Sequence, residues 1–275
     1  MSTRDLLIEL GTEELPPKAL KKLSAAFTSG VKEGLTSAEL KFADVSSYAA
    51  PRRMAILIRD LDESSPDKDI ERRGPALTAA FDDNGNPTKA AEGFARSCSL
   101  DSVEQLDKME TDKGAWLMFK QHQQGEPAAN LIPAIVQQSL DKLPIPKRMR
   151  WGDRDAEFVR PVHWLVLLFG DEVINTEILS VTSGRETRGH RFHHPDTIHI
   201  GTPADYAELL HTEGKVIADF ESRRQAVHGL VEAAAARTGG KAEIDEALLD
   251  EVTSMVEWPV AVLGNFEERF LDVPQ

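Results

Sequence analysis

Cysteine is nearly absent: Cys98 is the single one in 275 residues. One thiol closes no internal disulfide and builds no metal site by itself, which excludes a disulfide scaffold and fits a reducing cytoplasm. Long apolar runs are missing too. The longest nearly unbroken one, Trp164 to Phe169, falls far short of the ~20 residues that cross a bilayer, so no membrane partner is expected. Near the N-terminus Glu9 stops Leu6-Leu7-Ile8, leaving no apolar core for a secretion signal. The expected location is the cytoplasm. Positive charge is in deficit, with 32 Lys plus Arg against 46 Asp plus Glu and a formal charge of −14. Such a chain does not coat nucleic acid through its overall field, and any such contact must use a local patch. Self-sufficient catalytic signatures are lacking as well. There is no Gly-x-x-x-x-Gly-Lys-Ser/Thr loop, no Gly-x-Gly-x-x-Gly turn, no His-Glu-x-x-His and no Gly-x-Ser-x-Gly elbow. No catalytic residue, metal or cofactor is therefore assigned to this chain.

What is present describes an ordinary globular protein, 41% hydrophobic and 28% charged, long enough for one large or two ordinary domains. Leu6, Ile8 and Leu10 alternate as in a strand with one buried face, and Gly11 ends it. Pro16-Pro17 suits a first helical turn, followed by Leu20, Leu23, Phe27 and Val31 at helical spacing, with Gly30 and Gly34 marking the end. Met54, Ile56 and Ile58 alternate in a second strand over 52–59. The stretch 60–69 reads as an acidic loop, Asn84-Gly85 as a tight turn, 89–96 as a short helix, and Asp112-Lys113-Gly114 as a turn feeding a strand at 115–119. Leu131, Ile132, Ile135, Val136 and Leu140 make an amphipathic helix stopped by Pro144-Ile145-Pro146. Val162 to Phe169 suits a central strand covered on both faces, with 173–179 pairing back on it. Two helices follow, one with Phe220, Val227, Leu230, Val231 and Ala234 inward, the next with Ile244, Leu248, Val252, Met255 and Val256 inward. The expected fold is α+β, mixed, with largely antiparallel sheets and packed helices in two lobes, residues 1–65 and 66–275.

Three groups of residues carry chemical interest. Glu9, Glu13 and Glu14 surround Gly11 and Thr12 at a strand end, where split carboxyl pKa values would permit acid and base work. The simpler reading places Glu13 and Glu14 at the positive end of a helix dipole, with Thr12, Glu13 and Glu14 as a specified turn that meets a partner. The second group is basic: Arg52, Arg53, Lys147, Arg148, Arg150, Trp151, Arg160, Arg185, Arg188, His190 and Arg191. Guanidinium groups grip phosphate with two prongs and an aromatic beside them stacks on a base, which points to RNA, while an ion-pair network with the many acids is the competing reading. The third is His190, His193, His194 and His199. Adjacent His193 and His194 point to opposite faces of a strand and no cysteine or carboxylate pair completes a tetrahedron, so zinc is not expected.

In order along the chain stand Glu9-Leu-Gly-Thr-Glu-Glu-Leu-Pro-Pro17, Ala50-Pro-Arg-Arg-Met-Ala55, Arg73-Gly-Pro75, Ala90-Ala-Glu-Gly-Phe-Ala-Arg96, Ile145-Pro-Lys-Arg-Met-Arg-Trp-Gly152, Phe158-Val-Arg-Pro-Val-His163, Arg188-Gly-His-Arg-Phe192 and Val256-Glu-Trp-Pro-Val260. This ordered set resembles the β subunit of bacterial heterotetrameric glycyl-tRNA synthetase. The resemblance implies an α2β2 assembly that joins glycine to tRNA using ATP, with the catalytic core, ATP and Mg on the α subunit. It implies that the β subunit binds and positions tRNA. Family members continue into a helical His-Asp domain and an anticodon-binding domain, and no His is followed by Asp here. An N-terminal fragment, inactive alone, is therefore expected. The competing expectations are an acid/base hydrolase or trans-editing domain, and a structural assembly scaffold.

Overall fold

The structure is a computed structural model that describes residues 2–82, 84–111 and 114–272. Asp83, and the Asp112-Lys113 half of the expected turn, lie outside the described residues. Gly85 takes the positive φ, 81°, that the Asn-Gly turn requires.

The chain divides into two compact units, one of residues 1–63 with 127–275 and one of residues 64–126. The expected lobes, 1–65 and 66–275, are thereby corrected. The first strand does not close a lobe with its own neighbours alone, because it also pairs with Val162–Phe169.

In the larger unit, β1 (Thr3–Thr12) and β3 (Arg53–Asp62) are antiparallel neighbours, and β2 (Asp44–Ala50) pairs on the outer side of β3. On the other side of β1 runs the Val162–Phe169 strand, antiparallel, followed by Val181–Gly184, parallel, and Glu177–Ile178. The α+β, largely antiparallel expectation holds, with one parallel pairing among the described ladders. Only Glu172–Val173 and Glu177–Ile178 of the expected 173–179 strand are extended, and the first pairs back on Phe169 and Leu168.

Sheet alternation sorts the residues of β1. Leu6, Ile8 and Leu10 face one side with Met54, Ile56, Ile58, Leu165 and Leu167, against α1 (Pro17–Ser37) and the Ala128–Asp141 helix. Leu7, Glu9 and Gly11 face the other, where Ala55, Trp164, Val166 and Leu168 pack against Ile198, Ile200, Tyr206 and Leu210. The strand therefore has two buried faces rather than the expected one. Each such Leu or Ile removed from water contributes about 1.5–3 kcal/mol, enough to hold one carboxylate and one guanidinium in the second face if they are paired.

Helix α1 begins at Pro17 and buries Leu20, Leu23, Phe27, Val31 and Leu35 on one stripe. It runs through Gly30 and Gly34, the expected stops. A Cβ at Gly34 would lie 2.5 Å from Cγ2 of Ile135, so this glycine lets the two helices approach closely. In the Glu246–Thr253 helix the phase also differs from expectation. Asp245 accepts from the Leu248 N–H at 2.7 Å and sets the start, turning Leu249 and Thr253 inward and leaving Leu248 and Met255 exposed. Val231 of the Phe220–Ala236 helix is exposed as well.

The smaller unit is a three-stranded antiparallel sheet, Lys68–Ala76, Gly114–Gln123 and Asp107–Thr111 in spatial order, with the Lys89–Ser97 helix. Ala80, Ala91, Ala95, Cys98, Val103, Leu106, Leu117 and Phe119 form its core, so Cys98 is a packing residue. The expected 60–69 loop is narrowed to 63–67, Asp62 closing β3 and Lys68 opening the next strand. Among the described residues no helix is long and apolar enough to cross a membrane.

Candidate nucleic-acid interface

The second sheet face carries charge at its end. Gly11 stands opposite Trp164 in the ladder, and the indole lies where a side chain at 11 would be: a Cβ there would be 1.8 Å from Cε2 of Trp164. Three guanidinium groups surround that ring, those of Arg52 at 5.7 Å and of Arg53 and Arg188 at 5.5 Å from its centre.

Below the ring is a sealed polar layer. Arg53, fully buried, donates through Nη1 to Oε1 of Glu9 at 3.1 Å and through Nη2 to Oε1 of Glu257 at 3.4 Å. The same Glu9 oxygen accepts from Oγ1 of Thr187 at 2.9 Å and from the Tyr206 hydroxyl at 3.0 Å. Burial works against the Arg53 charge, but the Glu9 and Glu257 carboxylates outweigh it and raise the pKa. Burial also pushes the Tyr206 hydroxyl well up, keeping it a donor.

Above the ring opens a cleft of about 380 Å³ lined by Glu13, Arg52, His163, Arg188, Gly189, Arg191 and Pro195. Its acidic wall is fully paired: Arg191 lies 2.7 Å from Glu13 and 3.3 Å from Glu14, and Nε2 of His163 lies 2.9 Å from Oε1 of Glu13. Burial would raise the Glu13 pKa, yet the hydrogen bonds from Arg191 and His163 hold it at about 2. A carboxyl ionised that far below neutrality is no general acid at pH 7. The expectation that Glu13 and Glu14 serve the start of α1 is corrected. No acidic residue lies in that helix's first turn, and Glu13 and Glu14 reach Arg191 instead. Thr12 is buried and donates its hydroxyl to the Glu13 carbonyl, so it is no surface contact.

The basic wall is different. Arg52 and Arg188 have no carboxylate within ion-pair distance among the described residues. Arg52 is 8% exposed, its Nε has no hydrogen-bond partner, and burial lowers its pKa. An acid wall already engaged by Arg191 and His163, facing two guanidiniums without carboxylate partners, has the chemistry to accept an anion.

The rim is the 190–195 turn. Nδ1 of His190 accepts from the N–H groups of Phe192 and His193, both at 3.2 Å, and the His190 and His193 rings lie 4.5 Å apart. Burial lowers the His190 pKa, which suits a neutral ring with a free lone pair. A histidine whose folded pKa is depressed contributes fully above its unfolded value of about 6.5 and loses that contribution as pH falls below it. Amide protection at Phe192 and His193 is therefore expected to fall as the pH drops below about 6.5, and a His190→Ala chain to show little protection at any pH. Protection that stays flat through this window in the unaltered chain contradicts the assignment.

The structure thus gathers Arg52, Arg188 and Arg191 at one cleft, with His190 in the adjoining turn, and disperses the other basic candidates. Arg53 is sealed beneath it and touches no external ligand. Arg148 donates to the carbonyls of Leu140, Asp141 and Glu157, Arg150 pairs with Glu157, Arg160 donates to the Glu14 carbonyl and Arg185 to the Asp171 carbonyl. Trp151 packs against the α1 side of the sheet, and Lys147 lies on the edge of a separate apolar groove with Met149. Missing from the expected site are His163, Trp164 and Gly189. The motifs Phe158-Val-Arg-Pro-Val-His163 and Arg188-Gly-His-Arg-Phe192 contained two of the three.

Residues 6–275 match the family described as glycyl-tRNA synthetase beta subunit. The chain is 55% identical over 274 residues to the glycine–tRNA ligase beta subunit of Hahella chejuensis and 56% identical over 275 residues to that of Marinobacter nauticus, in each case over 100% of this chain and 40% of the relative. To the same subunit of Pseudomonas aeruginosa it is 53% identical over 275 residues, 39% of that protein. The chain spans about two fifths of the length of the curated relatives it matches.

Proposed function

The chain belongs to the glycyl-tRNA synthetase beta subunit family, and from that premise we propose that it is the N-terminal part of a β subunit in a ligase that attaches glycine to tRNA using ATP. This part positions tRNA, while the aminoacylation site, with its ATP and Mg, belongs to the α subunit of an α2β2 assembly in the cytoplasm. The observation that carries the positioning role is the uncommitted pair Arg52 and Arg188. In a chain of net charge −14, where most cleft charges are already matched, two guanidiniums without carboxylate partners face an open recess. Planar, permanently charged guanidiniums match phosphate, as they do carboxylate, in a two-pronged geometry. The hydrolase alternative would use Glu9, Glu13 and the histidines as acid and base groups; Glu9 and Glu13 are both committed to arginines, which disfavours that reading.

The test is tRNA binding by the chain across a salt series. Arg188→Ala, an exposed position, is expected to weaken binding and to reduce the slope of log K against log salt by about 0.7–0.9, the counterions released per phosphate contact. Unchanged affinity and slope would remove the cleft from the tRNA path.

A further inference from the structure

The cleft combines a deep cation with an exposed aromatic rim, and RNA positioning in general requires neither. Arg52 is 92% buried, being 8% exposed, and contributes to the cleft from its floor beside Trp164. A phosphate that reaches it must enter the recess. A duplex offers its phosphates on a convex, stiff surface with its bases stacked inside, whereas an unpaired strand bends its backbone inward and leaves a base face free. Phe192, one residue beyond the cleft residue Arg191, is 83% exposed. Its backbone is tied to His190 Nδ1, so the ring is presented by an anchored turn. A large apolar ring held out in water in this way offers a face on which a base can stack. Arg191 is committed to Glu13 and Glu14. Both oxygens of the Glu13 carboxylate in the same cleft are engaged, one by Arg191 and one by His163, and neither lies within ion-pair distance of Arg52 or Arg188.

We propose that this cleft is a site for an unpaired nucleotide, in which Arg52 and Arg188 take the phosphate and Phe192 stacks on the base. The proposal rests on the tRNA-positioning reading and narrows it to single-stranded RNA.

The experiment uses the full chain with two probes at about 0.15 M salt: an end-labelled single-stranded RNA of about a dozen nucleotides, and the blunt duplex of the same sequence. The single strand is expected to bind at least about tenfold more tightly than the duplex. Phe192→Ala is expected to weaken single-strand binding about tenfold, in line with loss of one stacked base, with duplex binding and thermal midpoint unchanged. Phe192→Trp should restore it, a recovery that a merely electrostatic loop would not show. Duplex binding as tight as single-strand binding, or no effect of Phe192→Ala, overturns the proposal. If the chain nonetheless binds tRNA in an Arg188-dependent way, the positioning reading survives that failure. A chain that binds neither probe nor tRNA refutes both.

Discussion

Replacing Arg53 by methionine is expected to cost about 3–5 kcal/mol of unfolding free energy, the usual penalty for removing one partner from a buried ion pair. Methionine keeps most of the length and can pack against Trp164. What it cannot do is balance Glu9, which is fully buried with Oε2 already lacking a partner, or Glu257, 6% exposed. Thr187 and Tyr206 would remain as donors to Glu9 but carry no charge. The double replacement Glu9→Gln with Arg53→Met should recover part of the loss, because a neutral amide accepts the same two hydrogen bonds without a buried charge. Urea denaturation followed by tryptophan fluorescence measures both variants. A loss below about 1 kcal/mol for the single variant would mean that the layer is wetter, and its charges less coupled, than the geometry states.

Gly11→Ala is expected to be damaging through sterics alone. The added methyl would coincide with the indole, 1.8 Å from Cε2 of Trp164. β1 is paired on both sides, with β3 and with Val162–Phe169, so its backbone cannot yield easily. Overpacking of this kind costs about 1–3 kcal/mol and sometimes more, and the upper end is expected because the ring has to leave its place. Departure of the ring also removes the surface against which Arg52 and Arg188 rest, so RNA affinity should fall with stability. Combining Gly11→Ala with Trp164→Leu vacates the space and should recover stability without recovering affinity. Wild-type stability in the single alanine variant would show that the indole has another place to go.

The parts of the fold that were legible in the sequence are those whose pattern is local. Val162–Phe169 is almost wholly apolar and is indeed interior, and Ile132, Val136 and Leu140 mark the helix stripe they bury. β2 was not legible because Asp-Val-Ser-Ser-Tyr-Ala-Ala buries only its last two residues and is a strand through its ladder to β3. Gly34 reads as a helix stop in isolation and as a contact surface once Ile135 lies against it. At the site, Arg52, Arg188 and Arg191 stood out as arginines in an acidic chain. The fate of Arg53 did not, since its partners Glu9 and Glu257 are distant in sequence. Nor did the salt bridge that takes Glu13 away from α1, which depends on Arg191 being folded back beside it. Charge type is written in the sequence; which charges remain free is decided by pairings that only the sheet creates.

On the proposed reading, the open side of this charge layer meets tRNA. A photoreactive benzoyl-phenylalanine at position 192 tests it most directly, with the same group at Glu33 on the exposed side of α1, across the sheet from the cleft. With tRNA present and the intact ligase assembled, illumination is expected to give a covalent RNA adduct from position 192, lost when Arg188→Ala is added, and none from position 33. No adduct from 192, or equal adducts from both positions, would contradict it.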